Sequence, residues 1–383
     1  MMEDKFENFN LKSKIYFNRE SIQLLEQVTG SRAFIVADAI MGKLGYLQKV
    51  IDYLSKAGIS SVVFTGVHPD PDVNVIADAM KLYKKSDADV LVALGGGSSI
   101  DTAKGIMYFA CNLGKAMGQE MKKPLFIAIP STSGTGSEVT NFTVITSQKE
   151  KVCIIDDFIA PDVAILDSSC IDGLPQRIVA DTGIDVLVHS IEAYVSKKAT
   201  DFTDALAEKA VKLIFENLPK IYNDSKDSEA RDHVQNASCI AGIAFTNAGL
   251  GINHSLAHAM GGSFHIPHGR SNALLLNAVM EYNASLVGNA SEHAMEKYAK
   301  LASILHLPAR TTREGAVSFI EAVDKLIKSL GVEDNIRSFG IKEDEFQSAL
   351  NHMAETAMQD RCTPTNPRKP SKEELIHIYQ KCY

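Results

Sequence analysis

The stretch "DVLVALGGGSSIDTAKG" (89–105) restricts the fold more than any other in the chain. Its apolar, β-branched run has strand length, ends on three glycines and passes at once into a helical pattern. A run of that kind is covered on both faces, as strands of parallel sheets are. "AFIVAD" (33–38), "SSVVFTGV" (60–67) and "PLFIAIPS" (124–131) repeat the strand signal, and "KLGYLQKVIDYLSKAG" and "VNVIADAMKLYKKSD" supply crossover helices between them. This predicts a doubly wound, Rossmann-like α/β architecture. "TNFTVIT" and "KVCIID", separated by "SQKE", read as a hairpin attached to it. From about residue 176 the strand signal stops and apolar-periodic segments follow one another, among them "RIVADTGIDVLVHSIEAYVS", "DALAEKAVKLIFENL" and "EARDHVQNASCIAGIAF". The expected organisation is therefore an α/β domain over 1–175 and an all-helical domain over 176–383, with no repeat or long linker.

Composition excludes several functions. A net charge of -8 and no dense Lys/Arg run argue against nucleic acid as a partner. No segment approaches the roughly 18 uninterrupted apolar residues of a membrane span, and "MMEDKFENFNLKSK" is charged where a secretion signal would be apolar. A cytoplasmic location is expected. The six cysteines (Cys111, Cys153, Cys170, Cys239, Cys362, Cys382) are scattered without a C-x-x-C pair, so they read as reduced packing thiols.

Gly95, Gly96 and Gly97 would let a phosphate approach the backbone, with the N–H groups of the helix start aimed at it. The competing reading is a tight turn with Ser98 or Ser99 as N-cap. "PSTSGTGSEVT" (130–140) places a second glycine- and hydroxyl-rich loop at the end of the next strand. Two such loops describe a dinucleotide site better than coincident turns do. Asp38 ends the first strand, where a carboxylate can bind an adenosine ribose and repel a 2'-phosphate, which favours NAD over NADP. An Asp closing a strand is also an ordinary turn former, and here it precedes the glycines instead of following them.

"GLGINHSLAHAMGGSFHIPHG" (249–269) concentrates four histidines. His254 and His258 are spaced to share one face of a helix, as are Asp185 and His189 in "DVLVH". Gly261 and Gly262 are expected to break the second helix, leaving His268 on a loop between Pro267 and Gly269 that folds back over its first turn. One carboxylate and several imidazoles suit Fe2+ or Zn2+ better than Ca2+ or Mg2+. No cysteine takes part, which argues against a closed structural zinc site. A metal and a dinucleotide together imply hydride transfer at a carbonyl, the chemistry of an alcohol dehydrogenase.

"GGGSSIDTAK", "STSGTGSEVTNFTVIT", "TGIDVLVHSIEAY", "HSLAHAMGGSFHIPHGRSNA" and "DRCTPTNPRKPSKEELIHIY" together resemble the iron-dependent (group III) alcohol dehydrogenases, in the right order from about residue 12 onward. The resemblance implies an N-terminal NAD-binding domain and a C-terminal metal-binding domain, the fold shared with dehydroquinate synthase. It implies Asp185, His189, His254 and His268 as metal ligands, and His258 as a proton relay beside the metal. It leaves His265 without a role. It implies cofactor binding by Asp38, Gly95, Gly96, Gly97, Ser98, Thr132, Thr135, Thr140 and Lys151, with Phe245 lining the substrate pocket. Zinc-using relatives generally lack a histidine at position 189, so its presence points to Fe2+, with Zn2+ as the alternative. Asp181 stands where an alanine is usual and adds a carboxylate near the first metal motif. "IMYFACN" and the chain length are most similar to the alcohol dehydrogenases of diol and ethanolamine breakdown. That implies NAD(H)-linked reduction of short aldehydes, a homodimer or higher homo-oligomer, and a bacterial microcompartment as a second location to consider. Two rivals stand beside this reading. A lyase of the dehydroquinate synthase type would need basic side chains for a phosphorylated substrate, and only Arg270 is nearby; the other is a non-catalytic protein retaining the fold.

Overall fold

The computed structural model describes residues 8–69, 71–118, 122–147, 150–286, 292–333 and 335–383. Its contacts divide the chain into Asn10–Asp172 and Gly173–Tyr383. Phe9 belongs with the second unit, where its ring lies 5.6 Å from Phe202.

The first unit is built on strands β1 (Lys14–Phe17), β2 (Arg32–Asp38), β3 (Ser60–Val67), β4 (Val90–Gly95), β5 (Leu125–Pro130) and β8 (Val163–Leu166). They form one parallel sheet in the order β1-β8-β5-β4-β2-β3. β6 (Phe142–Ser147) and β7 (Glu150–Ile155) make the expected antiparallel hairpin. Helices α1 (Ala39–Lys43), α2 (Tyr46–Lys56), α3 (Val73–Ser86) and α4 (Gly97–Ala116) complete the unit. Alternate residues of each central strand go to opposite faces. Phe34, Val36, Leu91 and Ala93 pack with Ile76, Ile100 and Ile106 of α3 and α4. Ala33, Ile35, Val90 and Val92 pack with Val50 and Leu54 of α2. Burial on both sides is why the central strands read as unbroken apolar runs. β1 and β8 escaped the sequence reading because four residues are too few to show a period.

The second unit is helical: α5 (Gln176–Val195), α6 (Asp201–Asn223), α7 (Ser228–Ala248), α8 (Ile252–Phe264), α9 (His268–Asn283), α10 (Glu292–Ile304), α11 (Thr312–Ser329), α12 (Glu343–Gln359) and α13 (Lys372–Cys382). α5 packs against α6, α7 and α9 and is buried almost continuously from Ala180 to Val195. A helix apolar nearly all round belongs in a core, so the polar residues it carries must find partners inside the protein. α8 does not break at Gly261–Gly262. It runs on to Phe264 and ends at His265, which is left-handed at φ 56°. Glycine within a helix costs only about 1 kcal/mol, less than the packing of α8 supplies. His268 is correspondingly not on a loop: Pro267 caps α9, and His268 is its first residue. No disulfide joins the six cysteines, all but Cys153 are buried, and among the described residues no helix is long and apolar enough to cross a membrane.

Candidate metal centre and nucleotide cradle

From β2 the chain proceeds outward to β3 on one side of the sheet, and from β4 to β5 on the other. The carboxyl ends of β2 and β4 therefore flank a topological switch point, where parallel sheets bind ligands. Ala37 pairs with Leu94, so Asp38 and Gly95 leave adjoining strands together. Gly95 has φ 150°, a conformation open to glycine and little else. A Cβ there would collide with Ser99 Oγ and stand 2.8 Å from Asp38 Oδ2. A Cβ on Gly96 would lie 3.3 Å from Thr132 Cγ2, and one on Gly97 2.9 Å from Thr135 Cγ2. The two glycine-rich loops are thus in contact through the residues that the sequence singled out.

Neither Ser98 nor Ser99 caps α4; Gly96 does, without a side-chain bond. The N–H groups of Gly97 and Ser98 lead that helix and lack intrahelical acceptors by geometry, and Ser99 Oγ and Ser133 Oγ are buried with no partner. Small residues, open amides and orphaned hydroxyls fit a dinucleotide pyrophosphate. Asp38 serves two ends. Its Oδ1 accepts from Ile40 N–H (2.8 Å) and Met41 N–H (3.0 Å) to cap α1, while Oδ2 lies against Gly95. Thr140 is fully buried and accepts from Lys104 Nζ at 2.7 Å, so it holds the second loop from beneath. Lys104 also donates to the carbonyls of Ser137 and Phe142. Burial pushes Lys104 down to about 8 against the pull of Asp101 and Glu138. Lys151 lies on β7 opposite Thr146, and its side chain is outside the described residues.

In the second unit, ligand atoms of Asp185, His254 and His268 lie within 4.8 Å of one another. Asp185 Oδ1 is 3.7 Å from His254 Nε2 and 3.5 Å from His268 Nε2. His189 is adjacent, with Nε2 4.0 Å from Asp185 Oδ2, though outside that triad. Its ring is sandwiched between Phe245 (4.4 Å) and His254 (4.7 Å), so Phe245 supports an imidazole directly. Three elements supply these groups: α5 gives Asp185 and His189, α8 gives His254, and the start of α9 gives His268.

Residues that the sequence reading passed over hold the cluster in place. Glu192 accepts the Nδ1 proton of His254 at 2.5 Å, and its other oxygen accepts from Asn253 N–H at 2.7 Å. Burial raises the Glu192 carboxyl to about 7, opposed by the backbone N–H of Asn253 and Gly251. Burial also drives His254 well below the usual imidazole range, helped by His189 and His258, which keeps the imidazole neutral. Asn272 Nδ2 lies 2.7 Å from Asp185 Oδ1, 3.3 Å from His254 Nε2 and 3.2 Å from His268 Nε2. One amide has two hydrogens for these three acceptors, and His189 Nδ1 is buried without a partner. The set therefore has more lone pairs than donors, and a divalent first-row ion fits it. A spacing signal existed for two of these residues: Glu192 follows Asp185 at i+7, and Asn272 follows His268 at i+4, each pair on one helical face.

His258 sits beside the triad, its ring stacked on His268 at 5.3 Å. It donates Nδ1–H to Asp360 Oδ2 at 2.8 Å. Burial opposes the charge on Asp360, but the hydrogen bond from His258 and the N–H of Cys362 hold it well below the usual carboxylate range. His265 takes part in none of this. Asp181 pairs at 2.5 Å with the buried Arg270, which also reaches Glu333 at 2.6 Å. Burial raises the Asp181 carboxyl against the Arg270 charge. Arg270 is thereby committed inside the protein, and the lyase reading loses the one cation it had.

A fold with a nucleotide cradle on a parallel sheet and a His/Asp metal cluster on a helical unit is that of a metal-dependent dehydrogenase. Residues 12–168 match the model of the iron-containing alcohol dehydrogenases, and residues 179–383 match that of the Fe-containing alcohol dehydrogenase family, C-terminal. The chain belongs to the iron-containing alcohol dehydrogenase family. It is 38% identical to the NADPH-dependent butanol dehydrogenase of Clostridium saccharobutylicum, over 98% of this chain and 97% of that protein. It is 39% identical to the aldehyde-alcohol dehydrogenase of Streptococcus pneumoniae over 97% of its own length, spanning 45% of that longer protein. Among solved structures, the iron-containing alcohol dehydrogenase of Thermococcus thioreducens matches with a TM-score of 0.89 at 36% identity, covering 98% of this chain and 99% of that one.

Proposed function

We propose that the protein is an NAD-dependent, iron-containing alcohol dehydrogenase that interconverts short aliphatic aldehydes and primary alcohols, working in the cell as an aldehyde reductase. The balanced reaction is aldehyde plus NADH plus a proton giving primary alcohol plus NAD+. The observation that carries this reading is the buried triad of Asp185, His254 and His268, with Glu192 fixing the His254 tautomer. His189 is the fourth ligand in the proposal. Fe2+ at that set would supply a Lewis acid for the substrate oxygen, and the nicotinamide would supply or accept the hydride.

The chain's own residues do the rest. Glu192 keeps the proton of His254 on Nδ1, which leaves Nε2 as the donor atom facing Asp185 and His268. Asp360 keeps the proton of His258 on Nδ1 in the same way. The other ring nitrogen of His258, Nε2, is then the atom that takes the alcohol proton in oxidation and returns it in reduction. Phe245 covers the His189 ring with an apolar face and narrows the site toward small, uncharged substrates. On the cofactor side, the Gly95–Gly97 backbone receives the pyrophosphate and Asp38 the adenosine ribose. Among the described residues Asp38 has no ion pair to offset a 2'-phosphate, which supports NAD(H) although the butanol dehydrogenase relative is named for NADPH.

The test is NADH oxidation with propanal by enzyme loaded anaerobically with Fe2+, compared with the chelator-stripped protein. Turnover that requires the metal and exceeds that with glycerol or a 2-hydroxy acid supports the proposal. Equal rates with and without metal sink it.

A further inference from the structure

Beside the triad lies a second donor set of different chemistry. One ring nitrogen of His258, a carboxylate oxygen of Asp360 and the thiol of Cys362 lie within 4.8 Å of one another. They come from separate places: His258 from α8, Asp360 from the C-cap of α12, and Cys362 from the turn that follows. Donors on one tetrahedral ion, bound at about 2.0–2.3 Å, stand about 3.5 Å apart, so shifts on the order of 1 Å suffice to seat the three around one ion.

The carboxylate is already held for the purpose. Asp360 Oδ1 accepts from Cys362 N–H at 2.8 Å and from Ser255 Oγ at 3.3 Å, and Ser255 is itself bonded by Thr363 Oγ1 at 2.8 Å. That leaves Oδ2 to face His258. The Cys362 thiol lies within 4.8 Å of the same group, so an imidazole N–H and a thiol are gathered around one anion. A cation can take the place of such protons. With one neutral imidazole, one carboxylate and one thiolate, a divalent charge is balanced: the thiol proton leaves for solvent, and the Nδ1 proton of His258 moves to Nε2, so the imidazole stays neutral. The His258 side chain is 30% exposed, which gives an ion an approach. Sulfur sets this group apart from the triad, which contains none. It selects a soft, zinc-like ion and discriminates against Mg2+ and Ca2+.

We infer that His258, Asp360 and Cys362 form a second site, for a soft divalent cation of the Zn2+ class, and that filling it inhibits the enzyme by occupying the His258 imidazole. The inhibitory half rests on the proposed relay role of His258; the binding half does not.

Co2+ is the probe, added anaerobically to enzyme whose first site is already filled with Fe2+. One further equivalent should bind, with release of one proton and a near-ultraviolet thiolate-to-cobalt charge-transfer band. Because the triad has no sulfur, cobalt exchanging into it cannot produce that band. Cys362→Ser should abolish the band and weaken the second equivalent by at least about 10²-fold, more than loss of an outer-sphere partner does, while iron content and circular dichroism stay unchanged. Cys362→Ala is read in the same way if the serine variant does not fold. The site is overturned by the absence of a thiolate band, or by a band that survives in both variants. In a second arm, Zn2+ should slow wild-type turnover with iron retained, and the Cys362 variants should resist it. A cobalt band together with unchanged turnover would keep the site and remove His258 from the reaction.

Discussion

The proposed nucleotide cradle and the proposed metal cluster are built on opposite principles. The cradle consists mostly of what side chains leave out: glycines whose missing Cβ atoms let Asp38, Thr132 and Thr135 close in, and helix amides presented by the backbone. The metal cluster consists of side chains delivered by three helices, each steered by a buried partner such as Glu192 or Asn272. A site of absences is specified within a few consecutive residues, whereas a site of converging side chains depends on the packing of a whole domain. Damage to the second should therefore be steeper than damage to the first.

The largest effect is expected from His254→Ala and His268→Ala. Each removes a donor from a set of mutually close atoms, so most of the bound iron should be lost, and turnover with it, by more than about 10⁴-fold. Metal analysis alongside steady-state rates checks this; a variant that keeps its iron would mean that the triad is misassigned. His258→Ala comes next. It should retain iron yet lose about 10²- to 10⁴-fold in turnover, the range for a positioned acid or base, and full activity in that variant would break the contrast between ligand and relay. Glu192→Gln keeps the shape but can offer His254 a donor instead of an acceptor, so iron affinity should fall by about 10- to 100-fold. An equilibrium titration with a competing chelator measures it.

The smallest effect belongs to the cradle. Asp38→Gly should raise the NADPH-to-NADH ratio of kcat/KM by about 5-fold, the order expected for removing one charge repulsion of about 1 kcal/mol near a solvated surface. Stability should change by only about a few tenths of a kcal/mol, because glycine also caps helices tolerably. An unchanged cofactor ratio would reduce Asp38 to its α1-capping bonds.

The same contrast explains what could be read in the sequence. "DVLVALGGGSSIDTAKG" announced strand, turn and helix because all three are local, and β4 and α4 lie there. β1 and β8 were missed because four residues carry no period. Gly261–Gly262 suggested a break that tertiary packing overrode, and His268 opens a helix where a loop was expected. Asp185, His254 and His268 were visible as ligand types, and their convergence came from the family resemblance and helical spacing together. Asp360 lies 102 residues from His258, and no spacing rule reaches that far. Asp181, unexplained in the sequence, turns out to belong with Arg270.

Asp185, His189 and Glu192 lie at i, i+4 and i+7 on α5, within a single rigid rod. Adding or deleting one residue between the first and the last would swing Glu192 through about 100° and carry it off the face that meets His254. The apolar residues among those intervening positions can vary in identity, but the number of positions cannot change. Along this chain the tolerance for insertions should therefore fall to its minimum within these eight residues, a length constraint that deep insertion scanning would reveal as a sharp gap.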